Sequence, residues 1–271
     1  MNKPTRSQAI RSRILTALVL IPLVLAGLFL LPSQGILALG IILALVGGIE
    51  WARLIHIRGA ARVLYGALVA GLTYVLTLAD PVAVALLAGL WWLLVIAEIP
   101  VFRPQTDAPA FRAAHGLAGV ATLAPALALL VDLVQVSPWR GLAVLVAIWA
   151  ADIGAYGVGR AWGRHKLAPH VSPGKTWEGL VAGALLAGVA GGVLAWQAPL
   201  EVGGPTALAA MAVLVAVIGQ VGDLSESMFK RRAGLKDSGQ WLPGHGGLLD
   251  RIDSLTAGVP AFVLCLWGVG V

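Results

Sequence analysis

Apolar residues in this chain gather into nine long runs separated by short polar breaks. They lie near 14–31, 35–49, 63–79, 82–98, 117–134, 141–159, 179–197, 207–225 and 254–271. A helix needs roughly 20 mostly apolar residues to cross a bilayer core. Most runs approach that length; the second, which ends near Glu50, is short. None alternates strictly between apolar and polar positions as a barrel strand does. A lipid-exposed segment must satisfy its own backbone, so each run predicts a helix. The expected fold is all-α, a polytopic transmembrane helical bundle of about nine spans. The first run follows Arg6, Arg11 and Arg13, as a signal peptide would. It is long for the apolar part of a signal, and no small-x-small cleavage pattern follows, so it is read as a retained first helix.

The polar breaks carry the orientation. With the N-terminus placed in the cytoplasm and sides alternating, the inner segments hold Lys3, Arg6, Arg11 and Arg13; Arg53, Arg58 and Arg62; Arg103 and Arg112. They also hold Arg160, Arg164, Lys166 and Lys175, then Lys230, Arg231, Arg232, Lys236 and Arg251. That is 18 of the 19 basic residues, with only Arg140 outside. Such asymmetry follows the positive-inside rule and favours an odd number of spans. The two longest polar stretches, 160–178 and 226–253, both fall inside, so any chemistry is expected to face the cytoplasm.

Composition agrees. The 271 residues are 59% hydrophobic and 12% charged, about half the charged share of a soluble domain. The net charge of +6 suits anionic headgroups and anionic substrates. No nucleic-acid motif or aromatic-interleaved basic stretch accompanies it, so no nucleic-acid partner is expected. Cys265 is the one cysteine, which excludes an intrachain disulfide and a cysteine zinc site. No soluble domain, long linker or convincing repeat is visible. The chain reads as a single integral membrane domain, 1–271, with spans in 1–116 as scaffold and those in 117–271 carrying the site.

Five of the 13 acids lie in residues 222–254: Asp223, Glu226, Asp237, Asp250 and Asp253. Asp223 ends the eighth run. Asp250 and Asp253 sit at the entry to the ninth, three apart and hence on one face of a helical turn. If the two helices are neighbours, these three carboxylates can converge at the membrane–water boundary. Like charges so placed repel and are costly to desolvate. A divalent cation relieves both, and hard oxygens suit Mg2+. The alternative is that Asp250 and Asp253 favour a helix N-terminus and Asp223 marks the water boundary. Lys230, Arg231, Arg232, Lys236 and Arg251 are interleaved with these acids. Metal-binding acids mixed with phosphate-binding bases are what phosphoryl or nucleotidyl transfer requires; a positive-inside anchor is the other reading. Gly239, Gly244, Gly246 and Gly247 flank Pro243 and His245. Such glycines let backbone amides approach a phosphate, and His245 either touches it or organises the loop.

A second polar cluster spans 149–179. Asp152 lies inside an apolar run, where an acid is a functional candidate by default; a hydrogen bond to a neighbouring helix is the alternative. SPGKT ends like a Walker A loop but is not one, because position 169 is Pro where the pattern needs Gly. Ser172, Lys175 and Thr176, before a helix starting near Trp177, still predict an anion-binding helix N-terminus. His165, Lys166 and His170 read as polar loop residues.

The run from Ser227 to Asp253, SMFKRRAGLKDSGQWLPGHGGLLDRID, resembles the signature of phosphatidate cytidylyltransferases. Its elements are Ser227, Lys230-Arg231, Lys236-Asp237, His245-Gly246-Gly247 and Asp250-Arg251-x-Asp253. The upstream DIGAY, SPGKTWEG and GD elements also fit. The resemblance implies transfer of a cytidylyl group from CTP to phosphatidic acid, giving CDP-diacylglycerol and pyrophosphate for phospholipid biosynthesis. It also implies Mg2+, a second cation such as K+, and a homodimer; the expected location is a bacterial inner membrane, with the active site facing the cytoplasm. By motif position Asp223, Asp250 and Asp253 are the metal ligands. Lys175, Lys230, Arg231, Lys236 and Arg251 neutralise phosphates, and Asp237 and His245 belong to the catalytic set. Ser172, Thr176, Ser227, Gly246, Gly247 and Asp152 fall to substrate binding. The competing classes are a transporter, an isoprenoid-lipid cytidylyltransferase or polyprenol kinase, and a non-catalytic membrane scaffold.

Overall fold

The computed structural model describes residues 6–102, 109–235, 238–239 and 246–271, with the backbone alone for 6–17 and 109–112. Among the described residues nine α-helices follow the nine apolar runs: α1 (Arg6–Leu30), α2 (Ser33–Leu54), α3 (Ala60–Leu76), α4 (Pro81–Glu98), α5 (Pro109–Val136), α6 (Pro138–Trp162), α7 (Trp177–Gln197), α8 (Pro205–Arg232) and α9 (Leu249–Gly268). Several starts follow from local chemistry. Proline opens α4, α6 and α8, where its missing N–H costs no helical bond. Asp80 caps α4 by accepting from the Ala83 amide at 2.8 Å.

Six of these helices are long and apolar enough to cross a membrane, and the described apolar parts of α1 and α3 are shorter. Helix α9 carries Asp250, Arg251 and Asp253 in its first five residues. Large apolar side chains point outward along the bundle, among them Leu23, Leu64, Leu87, Leu94, Leu185 and Val189. Water would not tolerate so broad an apolar surface; lipid does. The architecture is an all-α polytopic membrane protein.

Helix α6 packs on α7, α7 on α8, and α8 on α9, while α2 packs on α3 and α5. The α6–α7 seam is a close approach of backbones. A Cβ at Gly154 would strike the backbone at Ala182 and Gly183, and one at Gly183 would strike the Ala151 carbonyl. Small residues permit such contact in lipid, where dispersion and not water drives helix association. One apolar core lies among α5, α6, α8 and α9, around Leu129, Val144, Leu208, Val215 and Phe262. A second surrounds Trp51, Leu123, Met228, Phe229 and Leu249, beneath the polar end of the bundle.

Successive helices run in alternating directions, so the polar segments meet at one end. There Trp51 of α2 donates to the His115 carbonyl of α5 at 2.8 Å, and Arg232 of α8 pairs with Glu98 of α4 at 2.6 Å. At the other end Phe29 meets Trp139 edge-on, and Gln135 donates to the Ser33 carbonyl.

Several helices run past their apolar limits, three of them at the polar end where the site lies. Helix α2 continues to Leu54, α8 continues from 225 to Arg232, and α9 begins at Leu249 and not at 254. Glu50, Lys230, Arg232 and Asp250 in these extensions have tertiary partners, which hydropathy does not register. Segment 166–176, expected as a loop, holds a small antiparallel hairpin of β1 (Lys166–Ala168) and β2 (Ser172–Thr176). It is pinned to α7 by Glu178, which accepts from the His165 backbone amide and approaches its ring Nδ1 at 2.6 Å.

Candidate active site

The polar end is organised around Lys230, in the last turns of α8. Its ammonium donates to Glu226 one turn back at 2.8 Å and to Asp250 of α9 at 2.6 Å. All three side chains are largely buried. A buried cation between two acids gives each a charge-assisted hydrogen bond. The other oxygen of Glu226, Oε1, is buried with no hydrogen-bond partner among the described residues.

Asp250 is held on its second oxygen by the preceding loop. Oδ2 accepts from the Gly247 amide at 2.8 Å, the Ser238 hydroxyl at 2.9 Å and the Ser238 amide at 3.2 Å. The glycines of the signature now have a physical reason. Gly246 has φ +81°, and a Cβ there would meet the Asp250 carboxylate. A Cβ at Gly247 would fall on the Ser238 hydroxyl and on Glu50. The loop closes this tightly around two carboxylates only because side chains are missing there.

A second charged group lies alongside. Lys175, near the end of β2, pairs with Asp223 of α8 at 2.5 Å, and Ser227 makes a long hydrogen bond to Asp223 at 3.4 Å. Asp253 lies within electrostatic range of Asp223, Glu226 and Lys175. Asp152, on α6, is within range of Asp223, Lys175 and Arg251. Helices α8 and α9 come this close because Gly222 has no side chain: a Cβ there would collide with the Asp253 backbone. Arg231 and Arg251 are exposed at the same end.

The expected residues therefore separate into groups. Asp223, Asp253, Lys175 and Asp152 come together, as do Lys230, Asp250 and Gly247, and Glu226 lies between the two groups. The expected helix does start at Trp177, with Thr176 as its N-cap, the hydroxyl accepting from the Gly179 amide at 3.2 Å. That hydroxyl is buried against Gly159, Gly163 and Gly179, so Thr176 holds the helix end. Ser172 is half-buried on β2. Lys236, Asp237 and His245 lie outside the described residues. Two residues were not anticipated: Ser238 and Glu50. The visible signal for Glu50 was a single acid closing an apolar run.

Among the described residues no three His, Cys, Asp or Glu side chains are grouped so as to hold a metal ion. The Asp223–Asp250–Asp253 set is divided because Asp250, in the first turn of α9, is drawn back onto the loop amides and Lys230. The donor chemistry still suits a hard cation: Asp253 lies within electrostatic range of Asp223 and Glu226, and the Glu226 Oε1 has no hydrogen-bond partner among the described residues. Mg2+ characteristically takes one or two carboxylates and completes its shell with water and substrate phosphates.

Fold and site together define a polytopic membrane protein that gathers lysines, arginines and carboxylates at one end of its bundle, a setting for anionic ligands. Residues 11–268 match the model of the cytidylyltransferase family. The chain belongs to the cytidylyltransferase family. It is 44% identical to a phosphatidate cytidylyltransferase of Pseudomonas aeruginosa, over 96% of this chain and 98% of that one. A phosphatidate cytidylyltransferase of Haemophilus influenzae is 36% identical, over 93% and 97%. That of Brucella suis is 48% identical over 125 residues, 46% of this chain.

Proposed function

We propose that the chain transfers the cytidylyl group of CTP to phosphatidic acid, giving CDP-diacylglycerol and pyrophosphate. The observation that carries this reading is the 44% identity to a phosphatidate cytidylyltransferase along nearly the whole of both chains. The site's chemistry supports it. A lipid phosphate oxygen attacks the α-phosphorus of CTP; a P–O bond forms, the bond to the β-phosphate breaks, and pyrophosphate leaves. The lipid phosphate is already anionic near neutral pH, so no strong base is required. The main obstacle is repulsion between two polyanions.

Lys175, Lys230 and Arg251 offset that repulsion, and Arg231 adds positive charge at the same end. Lys175 and Lys230 are each held by carboxylates, which fix the ammonium groups before substrate arrives. Preorganised charge of this kind avoids reorganisation during reaction. Asp223 and Asp253 are the residues that would hold Mg2+, with K+ as a second cation; when bound, Mg2+ neutralises phosphate charge and stabilises the leaving pyrophosphate. Asp250 keeps Lys230 and the glycine loop in register. Asp152 on α6 and Ser172 on β2 complete the substrate-binding set.

The remaining expectations belong to the same proposal: nine spans, N-terminus and catalytic end in the cytoplasm, a bacterial inner membrane, and a homodimer. Eighteen basic residues at one set of loops support the orientation. The polar end meets CTP from water while the diacylglycerol tails stay in lipid.

Purified protein in phosphatidic acid micelles with Mg2+ and CTP labelled at the α-phosphate tests the reading. Label should enter the lipid with release of pyrophosphate. Transfer of the γ-phosphate instead, or an absence of CTP turnover, would overturn it in favour of a lipid kinase or a transporter.

A further inference from the structure

The first hundred residues supply a buried carboxylate to the polar end. Glu50 lies near the C-terminal end of α2 and is 3% exposed. Its Oε1 accepts from the Leu248 amide at 2.9 Å. Its Oε2 accepts from the Leu249 amide at 2.9 Å and from the Ser238 hydroxyl at 3.3 Å. Among the described residues no ion pair includes it. Its partners are the leading amides of α9 and one hydroxyl.

Helix α9 needs such a partner. Its first amides have no intrahelical acceptor, and Leu248 in the N-cap position has no polar side chain to offer. Glu50 takes that place from about 200 positions away in sequence. A carboxylate at a helix N-terminus is also favoured by the helix dipole. The contact is specific to the loop that carries the site. Side chains at Gly239 and Gly247 would both run into the Glu50 carboxylate. Ser238 lies between Glu50 and Asp250, and its single hydroxyl proton can serve only one of them at a time.

We infer that Glu50 is a positioning residue for catalysis: it caps α9 across the bundle and holds Ser238 and the Gly247–Leu249 backbone in place, and through them Lys230, Asp250 and Asp253. This rests on the cytidylyl-transfer reading for its kinetic consequence, though not for its structural one. Displacing reacting groups by about 1 Å costs about 100-fold in rate, so the consequence is visible in turnover.

Glu50→Gln is the test, because it keeps the shape and replaces one acceptor by an NH2 that faces a donor. Two readouts are made on the full-length protein in detergent. In hydrogen exchange, the amides of the peptide covering 246–255 should exchange about tenfold faster than in the wild type, with α6 and α7 unchanged, reporting local opening. In the CTP and phosphatidic acid assay, kcat should fall about 10- to 100-fold while KM for CTP stays within about threefold. A role confined to stability would lower the melting temperature and leave kcat per folded molecule intact. Wild-type exchange in that peptide, or wild-type kcat, overturns the inference. If wild-type protein makes no CDP-diacylglycerol, the reaction reading fails and the exchange readout alone decides the positioning role. If Glu50→Gln does not fold, Ser238→Ala is carried through the same two measurements: faster exchange with lowered kcat supports the inference, and wild-type behaviour in either overturns it.

Discussion

Lys230 stands between two buried acids, and replacing it with methionine leaves each of them a different remainder. Asp250 keeps three donors on Oδ2, from Gly247 and Ser238. Glu226 loses its Oε2 partner, and among the described residues its Oε1 already has none. The destabilisation therefore falls mainly on Glu226. Breaking a buried ion pair from one side costs roughly 3–5 kcal/mol. Methionine retains the apolar stem, and Asp250 remains bonded, so about 3 kcal/mol is expected, near the lower limit of that range. For a chain of this size that lowers the melting temperature by about 6–12 °C. The double variant Lys230→Met/Glu226→Gln removes the stranded charge and should regain most of the loss. Turnover should stay low in both, because the Lys230 ammonium is no longer there to meet phosphate. The assay is tryptophan fluorescence on heating in detergent, followed by CDP-diacylglycerol formation at a temperature where all variants are folded. A single variant melting within about 2 °C of the wild type would refute the reasoning, as would a double variant no more stable than the single.

Asp253→Asn should reduce kcat by about 100-fold or more at saturating Mg2+ with little change in melting, checked by activity and melting of the same preparation; near wild-type turnover removes it from the site. Thr176→Val deletes the cap on α7 and should cost about 1 kcal/mol, whereas Thr176→Ser retains the hydroxyl and should melt close to the wild type. Gly183→Ala places a methyl on the Ala151 carbonyl and should cost about 1–3 kcal/mol by forcing α6 from α7; because Asp152 follows Ala151, activity should fall with stability, measured on both scales.

Nine apolar runs became nine helices among the described residues because a segment in lipid has no alternative to satisfying its own backbone. That constraint is local, and hydropathy reads it directly. The signature residues were equally legible: chemistry that handles phosphates needs cations, acids and glycines, and these appear in order between Ser227 and Asp253. The helix start at Trp177 followed from the same local logic.

Pairing across the bundle was not legible. Whether Asp250 turns toward Asp223 or back onto Lys230 and the Gly247 amide depends on the path of the preceding loop, not on a spacing of three. Lys175 meets Asp223 because a hairpin, too short to leave a hydropathy pattern, lays β2 against α8. Glu226 reads in the sequence only as one of five clustered acids; it is buried because α8 continues past its apolar limit. Glu50 marks the boundary most clearly. By itself it is an acid at the end of a span; it becomes a helix cap only because tertiary packing brings α2 against the first residues of α9, almost 200 positions away. Sequence alone determined the helices, the charged ends and the class of chemistry, since each depends on residue type and local spacing. Tertiary structure decided which acid faces which donor, since a buried charge is stabilised by neighbours that the chain supplies from anywhere along its length.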